Sequence, residues 1–382
     1  MLRTPPSNGS AAYRKEKRAF FHGPAYNHRI RRSMPMRFPA SLPPKGTIGF
    51  LAPSFGCASE PYKTAFDHAL ETFRGLGYRT VLGPNCYAEC GVGISNTPEK
   101  CGRELTESLL DPRSDALISC GGGELMCEVI PHMDFERIAA APPKWYMGYS
   151  DNTNYVFLSA TILDTAAIYG PCASSFGMEP WHESLDKAME ILSGESMTVH
   201  GYKKWQQTSL KDEDHPLAPY NLTKRTRYRL YDPKKGDKCR VVRLGGRMLG
   251  GCLDCLCNLV GTRFDRVGDF NRRYGDDGVL WFLESCDLNP LSLRRAIWQL
   301  KEAGWFRCAS GFLLGRPLHM GEEIMGLDMY EAAMYHLRDL NVPVVMDLDI
   351  GHIPPTMPLI CGARAAAVCR TSSFEMTMER DR

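Results

Sequence analysis

The sequence predicts an α/β protein: a mostly parallel N-terminal sheet with helices on both faces, joined to a smaller C-terminal α/β domain. Three observations carry this. From Gly46 onward, strand-like runs alternate with helix-like runs, the pattern of repeated strand, helix, strand units. Near residue 181 the text turns polar and aperiodic, then resumes the alternation after residue 237. The chain's 382 residues exceed one ordinary small domain, and its balance of 43% hydrophobic and 24% charged residues is that of a globular protein with a large core.

The elements follow in order. GTIGFLAPS reads as a strand running into a turn, and PYKTAFDHALETFRGLGY as an amphipathic helix ending at Gly75 or Gly77. RTVLGP is a second strand, and NTPEKCGRELTESLLDP is a helix opened by an Asn96 or Thr97 cap. DALISCGGG is a third strand ending in glycines, with ELMCEVIPHM as a helix behind it. KWYMGYSDNT is a fourth strand breaking into a turn, and YVFLSATILDT is the next helix. Beyond the aperiodic stretch, CRVVRLGGRMLGG, GVLWFLES, GFLLGRP and VPVVMDLDIGHIPP read as strand regions. CLDCLCNLVGT, LSLRRAIWQLKEAGWF and MGLDMYEAAMYHLRDL read as helices, and a strand pair closes the chain. The expected division is therefore a disordered basic tail over 1–45, an N-terminal domain over 46–195, a linker or long loop over 196–237 and a C-terminal domain over 238–382. Right-handed crossovers would gather the loops after the strands along one edge, where open α/β sheets bind ligands.

Charge excludes some functions. Residues 1–45 hold ten Lys or Arg and one acid, leaving 36 basic against 43 acidic residues in the remainder. A mildly acidic body offers no basic surface for a polyanion, so nucleic acid is not an expected partner. The tail lacks the apolar segment of a secretory signal. Its arginine-rich composition suits an unstructured extension or an upstream start with the true start at Met34 or Met36, and it would also suit an organelle transit peptide. No window approaches the roughly 20 consecutive apolar residues that span a bilayer, so no membrane role is expected. Fifteen cysteines, an odd number spread over the chain, fit reduced thiols of a cytoplasmic protein better than a disulfide framework. Cys252, Cys255 and Cys257 lack a second pair of ligands at metal-binding spacing and interleave with Leu253, Leu256 and Leu259, so buried helix cysteines are expected and no metal.

Four places could carry chemistry. Ser150 in GYSDNT sits where an apolar strand turns sharply into a helix, a position that exposes a hydroxyl beside free backbone N–H groups. It resembles the G-x-S-x-G elbow, although Asn152 stands in place of the second glycine. A helix cap would explain it as well. Gly121, Gly122 and Gly123 end the preceding strand and let the backbone approach a ligand. Neither G-x-G-x-x-G with its distal acid nor a Walker pattern is present, so an oxyanion role fits better than nucleotide phosphate binding. Glu284 ends the apolar run VLWFLE, where a charge requires a partner, with Arg294 as one structural candidate. His352 lies between Gly351 and a Pro pair. A hydroxyl, a carboxylate and an imidazole, each on a turn after an apolar strand, supply the nucleophile, orienting acid and base of covalent acyl transfer.

Together the strand-end glycines, GYSDNT, WFLES with LRRAIWQLKEAG and LLGRP, and the closing DIGHIPPTMPLICGARA resemble the LD-carboxypeptidase family of serine peptidases, which includes murein tetrapeptide carboxypeptidases and microcin C immunity peptidases. The resemblance runs from about Gly46 to Ala367. It implies Ser150 as nucleophile, Glu284 as orienting acid and His352 as general base, with backbone N–H groups of Asp151 and Gly122, beside Gly121, as oxyanion hole. It also implies a site between two domains, a small peptide-like substrate, no metal or other cofactor, and a homodimer. The polar segment with Lys204, Trp205 and the acids before His215 looks more like the microcin-immunity branch, in which case Trp205 would stack on a nucleobase; a Trp that only packs the loop is the alternative. Cys252 departs from the Gly-Gly-Asn-Leu that members often carry, and removes an amide's hydrogen bonds. Two rivals stay open: an α/β-hydrolase with acid and base on one continuous sheet, and a non-catalytic protein that binds a peptide or nucleotide in the same cleft.

Overall fold

Residues 35–91 and 93–381 are described by the structure, a computed structural model, and they belong to one compact unit. The first sheet is built from β1 (Thr47–Leu51), β2 (Arg79–Leu82), β3 (Ala116–Ser119), β4 (Trp145–Gly148) and β5 (Ala167–Tyr169). These strands are all parallel and lie in the spatial order β2, β1, β3, β4, β5. Four of them, β1, β3, β4 and β5, are buried along their whole length, as strands covered on both faces must be. The connecting helices include α1 (Tyr62–Gly75), α2 (Pro98–Leu110), α3 (Met126–Val129), α4 (Phe135–Ala140) and α5 (Thr153–Thr161). In α1 the residues Ala65, Phe66, Ala69, Leu70 and Phe73 form the buried stripe that helical periodicity demands. α3 is shorter than ELMCEVIPHM suggests, because the ring of Pro131 has no N–H to continue an α-helix and the chain tightens to a 3₁₀ turn over Ile130–His132.

After α6 (Glu183–Ser193) comes the stretch expected to be a linker. It contains four short strands: β6 (Thr198–His200), β7 (Lys204–Gln206), β8 (Leu222–Arg225) and β9 (Arg229–Tyr231). The second half supplies β10 (Val241–Cys252), α7 (Leu253–Leu259), α8 (Val267–Tyr274), β11 (Val279–Glu284), α9 (Pro290–Glu302) and β12 (Ala309–Gly315). It continues with the small hairpin β13 (Glu323–Ile324) and β14 (Leu327–Asp328), α10 (Met329–Leu337), β15 (Val344–Leu348), β16 (Leu359–Cys361), β17 (Arg364–Arg370) and β18 (Ser373–Glu379). The second sheet has eight strands in the order β6, β18, β17, β10, β11, β12, β15, β9, with β10, β11, β12 and β15 parallel and the flanks antiparallel.

Two boundaries differ from the sequence expectation. β6 and β9 are the two edges of the second sheet, so residues 196–237 are woven into it rather than strung between domains. Of the segment expected to be a disordered tail, 1–34 lie outside the described residues, whereas 35–45 pack on the first half. There Met36 and Leu42 are buried and Arg37 bridges to Thr165. Both apolar side chains find partners in the core, which a composition dominated by the arginines upstream concealed. Finally, β16 pairs antiparallel with β5, so the closing part of the chain returns to extend the first sheet. That return lies just past the loop holding His352 and brings it over the ends of β4 and β5.

Candidate active site

Ser150 follows β4 and opens a 3₁₀ turn over Ser150–Asn152 that leads into α5. Its φ of 63° lies in the left-handed region, unfavourable for any residue with a Cβ, so the surroundings must hold it there. Asn152 does much of this: its amide donates to the carbonyls of Tyr149 at 3.0 Å and Gly121 at 2.8 Å, while its Oδ1 accepts from the Tyr146 hydroxyl. The side chain that breaks the G-x-S-x-G pattern thus ties the elbow to the glycine run. The Asp151 carboxylate is buried and accepts from Ser54 Oγ at 2.5 Å, the Met126 N–H at 2.8 Å and Asn154 Nδ2 at 2.9 Å. Burial pushes this carboxyl above the usual aspartate range, and these donors pull against that rise.

Gly122 stands directly against the serine: a Cβ on it would lie 3.0 Å from Ser150 Oγ and 2.9 Å from Ser150 Cβ, so only glycine brings the backbone this near. Among the described residues, the N–H groups of Gly122 and Asp151 donate to no protein acceptor. Gly121 supports the pair through its carbonyl, which accepts from Asn152 and from Ser119 Oγ at 3.0 Å.

The other half comes from the second sheet. Glu284 ends β11 and is 2% exposed. Its partner is not Arg294, whose guanidinium lies over the Tyr335 ring, but His352, with 2.9 Å between Oε2 and Nδ1. His352 Nε2 in turn lies 2.8 Å from Ser150 Oγ. With the Nδ1 proton donated to Glu284, Nε2 is left to accept from the serine hydroxyl. Gly351, at φ 98°, lets the loop pass over the acid, since a Cβ there would meet Glu284 Oε2 at 2.5 Å.

Burial pushes the Glu284 carboxyl up, but the charge and hydrogen bond of His352, with donors at Tyr169 and Cys252, outweigh it and hold the group below the usual glutamate range. Burial likewise pushes the His352 imidazolium down, and the Glu284 charge together with Cys286 overcomes this, holding it well above the usual histidine range.

The sequence reading missed Tyr169 at the end of β5. Its hydroxyl donates to Glu284 Oε1 at 2.5 Å and accepts the Ser150 N–H at 3.2 Å, joining serine backbone to acid. A tyrosine at the end of a three-residue apolar strand was the only available signal. The loop of His352 is itself braced: Asp349 is fully buried with Arg316 at 2.6 Å, and accepts from the Tyr202 N–H at 2.9 Å and the Tyr228 hydroxyl at 3.0 Å. Trp205, expected to touch substrate, does not line the cavity. Its ring lies 5.3 Å over the Arg316 guanidinium, and its neighbour Gln206 takes the cavity side while donating its N–H to Pro354 O at 2.8 Å. The indole face is thus taken by the buried guanidinium, a cation–π contact.

Ser150 and His352 open onto a cavity of about 440 Å³. It lies at the carboxyl ends of β1, β3 and β4, around the switch in strand order between β1 and β3, where open α/β sheets hold ligands. Cys252 is paired in register with Glu284 and Cys255 is buried on α7; no group of three or more metal-ligating side chains occurs among the described residues. No helix among them is long and apolar enough to cross a membrane.

A strained strand-end serine facing an imidazole and a buried carboxylate from a second sheet is an arrangement found in α/β hydrolytic enzymes. The LD-carboxypeptidase N-terminal domain matches residues 48–170, and the C-terminal domain of the same family matches residues 245–366. The chain belongs to the LD-carboxypeptidase family, and its class is that of peptidase-type hydrolases. It is 25% identical over 334 residues to the microcin C7 self-immunity protein MccF of Escherichia coli, covering 84% of this chain and 90% of that one. It is 26% identical over 319 residues to the murein tetrapeptide carboxypeptidase of Pseudomonas aeruginosa, covering 81% and 89%. A solved structure of MccF in complex with glutamyl sulfamoyl guanosine shares the fold with a TM-score of 0.74 at 22% identity, over 91% of this chain and all of that one.

Proposed function

We infer that this chain is a serine-type carboxypeptidase or amidase that cleaves a small peptide-like or aminoacyl-nucleotide substrate through an acyl-enzyme. The observation that carries the reading is the unbroken chain from Ser150 Oγ to His352 at 2.8 Å and from His352 to Glu284 at 2.9 Å, opening on the cavity. In this reading Ser150 Oγ attacks the carbonyl carbon as its proton passes to His352 Nε2. Glu284 keeps the imidazole in the productive tautomer and stabilises the imidazolium. The carbonyl oxygen becomes an oxyanion facing the N–H groups of Gly122 and Asp151, with Gly121 shaping the turn. His352 then gives the proton to the leaving nitrogen or oxygen. Water, deprotonated by the same imidazole, attacks the ester, and Ser150 is restored.

Two substrate classes divide the family names among this chain's relatives. We place it in the microcin-immunity-like branch, on the long aromatic segment over 196–237, which reaches the cavity through Gln206, Ser209, Lys211, Ala218, Pro219 and Tyr220. The murein tetrapeptide reading is favoured by an equally similar relative of that name. The experiment is incubation with a murein tetrapeptide and, separately, with an aminoacyl sulfamoyl adenosine, followed by mass spectrometry. Cleavage of the nucleotide alone is the expected result, and cleavage of the tetrapeptide alone reverses the branch. Inertness toward both, together with no labelling of Ser150 by a serine-directed acylating reagent, would leave a binding protein. The proposal also includes a cytoplasmic location, with which fifteen unpaired cysteines are consistent, and a homodimer; light scattering that returns a monomer mass removes the dimer.

A further inference from the structure

Among the described lining residues of the cavity, Lys211 is the one lysine or arginine. It sits in the segment between β7 and β8, half-buried, and no carboxylate pairs with it among the described residues. Its Nζ is 3.4 Å from the Ser174 carbonyl and 5.5 Å from the Tyr62 ring centroid, both residues lining the same cavity. A carbonyl dipole and a ring face are weak compensation for an ammonium withdrawn from water. Burial accordingly pushes its pKa below the usual lysine range. An anion delivered into the cavity would reverse that penalty, and the opposing charges there are few: Glu89 and Glu124 are the carboxylates of the lining, and Glu124 is pushed up by its own burial and by Asp287, Asp151 and Asp254.

We propose that Lys211 is the specificity-determining residue that recognises an anionic group on the substrate, so that the enzyme selects ligands carrying a carboxylate or an acidic phosphate-like linkage over their neutral isosteres. The inference rests on the hydrolase reading above and names the charge of the substrate that reading leaves open. The anion has two possible sources: the free C-terminal carboxylate of a peptide, or the acidic linkage of an aminoacyl nucleotide. Lys211 touches no reacting atom in this scheme; its ammonium binds and orients.

The test is a matched set of substrates on wild type, Lys211→Met and Lys211→Arg. One arm pairs a murein tetrapeptide acid with its C-terminal amide. The other pairs an aminoacyl sulfamoyl adenosine with the neutral amide of 5′-amino-5′-deoxyadenosine. Wild type is expected to prefer the anionic member of one pair by about tenfold to a hundredfold in kcat/KM, the range for a hydrogen bond to a charged group. Lys211→Met is expected to collapse that preference, chiefly through KM, and Lys211→Arg to retain most of it. The arm in which this occurs identifies the source of the anion. If the preference survives in Lys211→Met while Ser150 is still acylated, the inference fails and the hydrolase reading stands. If wild type cleaves nothing and Ser150 resists acylation, both fail. Should Lys211→Met not fold, wild type showing no preference within either pair overturns the proposal alone.

Discussion

The two halves of the site are held by different forces. The serine half is positioned by backbone: a left-handed φ at Ser150, a glycine pressed against it, and short-range hydrogen bonds that Asn152 donates to Tyr149 O and that Asp151 accepts from Asn154. The acid and base half is positioned by buried charge. Glu284 and His352 form one pair, Asp349 and Arg316 form a second beneath the loop, and their ligands come from segments far apart in sequence. The strained backbone at Ser150 is held by neutral hydrogen bonds from the adjoining turn and glycine run, which need no counter-charge. Buried charges place an atom only while each keeps its counter-charge, so this half is where single substitutions should spread.

The sharpest separation is expected from Ser150→Ala. Among the described residues Ser150 Oγ makes one side-chain hydrogen bond, to His352, so the variant should lose at least about four orders of magnitude in kcat while unfolding at the wild-type denaturant midpoint or slightly above it. A large fall in stability would mean that the elbow depends on its side chain, and the contrast between the halves would break.

Glu284→Gln comes next. His352 must be neutral to accept the serine proton, so activity appears as pH rises through its pKa, which the glutamate charge holds high. The variant is expected to drop about 10⁴-fold at the plateau, the size of comparable acid-to-amide changes, and to shift the acid limb of kcat/KM to lower pH. The linkage also has a sign. The raised His352 contributes stability that is present below its unfolded pKa and lost as pH rises through the folded one. The lowered Glu284 contributes stability lost as pH falls through its own folded pKa. Denaturation of wild type minus variant across pH should therefore show the largest difference between those limits, and a flat difference would contradict the coupling.

Asp349→Asn tests the brace rather than the chemistry. It leaves the Arg316 guanidinium buried without a carboxylate, expected to destabilise folding by about 3–5 kcal/mol by urea titration. A loss below about 1 kcal/mol, the scale of exposed pairs, would mean that the loop is held by packing.

The serine half was legible in sequence for the same reason that it is local. Gly121, Gly122, Ser150 and Asp151 lie at the ends of strands whose apolar runs announce them, and the signals fall within a few residues of the atoms they place. Glu284 and His352 were also readable, since a carboxylate ending an apolar strand and a histidine between glycine and prolines stand out. What supports them was not. β6, β7 and β9 are three residues long, too short for alternation to register, and their partners are β18, β8 and β15. Read as a linker, they brace the base instead. Trp205 was expected on a nucleobase because its segment resembles the microcin-immunity branch, with packing of the loop as the alternative; its face is taken by an arginine whose burial no local pattern reveals. Lys211 and Tyr169 carry no motif at all.

Tyr169 is where the two halves meet, and its removal is the finest test of how separate they are. Its hydroxyl donates to Glu284 Oε1 and accepts the Ser150 N–H. Tyr169→Phe keeps the ring and its packing while deleting both bonds. The loss should be about tenfold to a hundredfold in kcat/KM, the scale of a hydrogen bond to a charged group. The direction of the pH shift is more informative than its size. With one donor fewer, the Glu284 charge is less neutralised and attracts the imidazolium more strongly, so the acid limb should move to higher pH, opposite to Glu284→Gln. A loss of rate with the limb unmoved would make Tyr169 a spacer between two independently placed halves. A limb that moves up would mean that serine backbone and buried acid are tuned by the same hydroxyl.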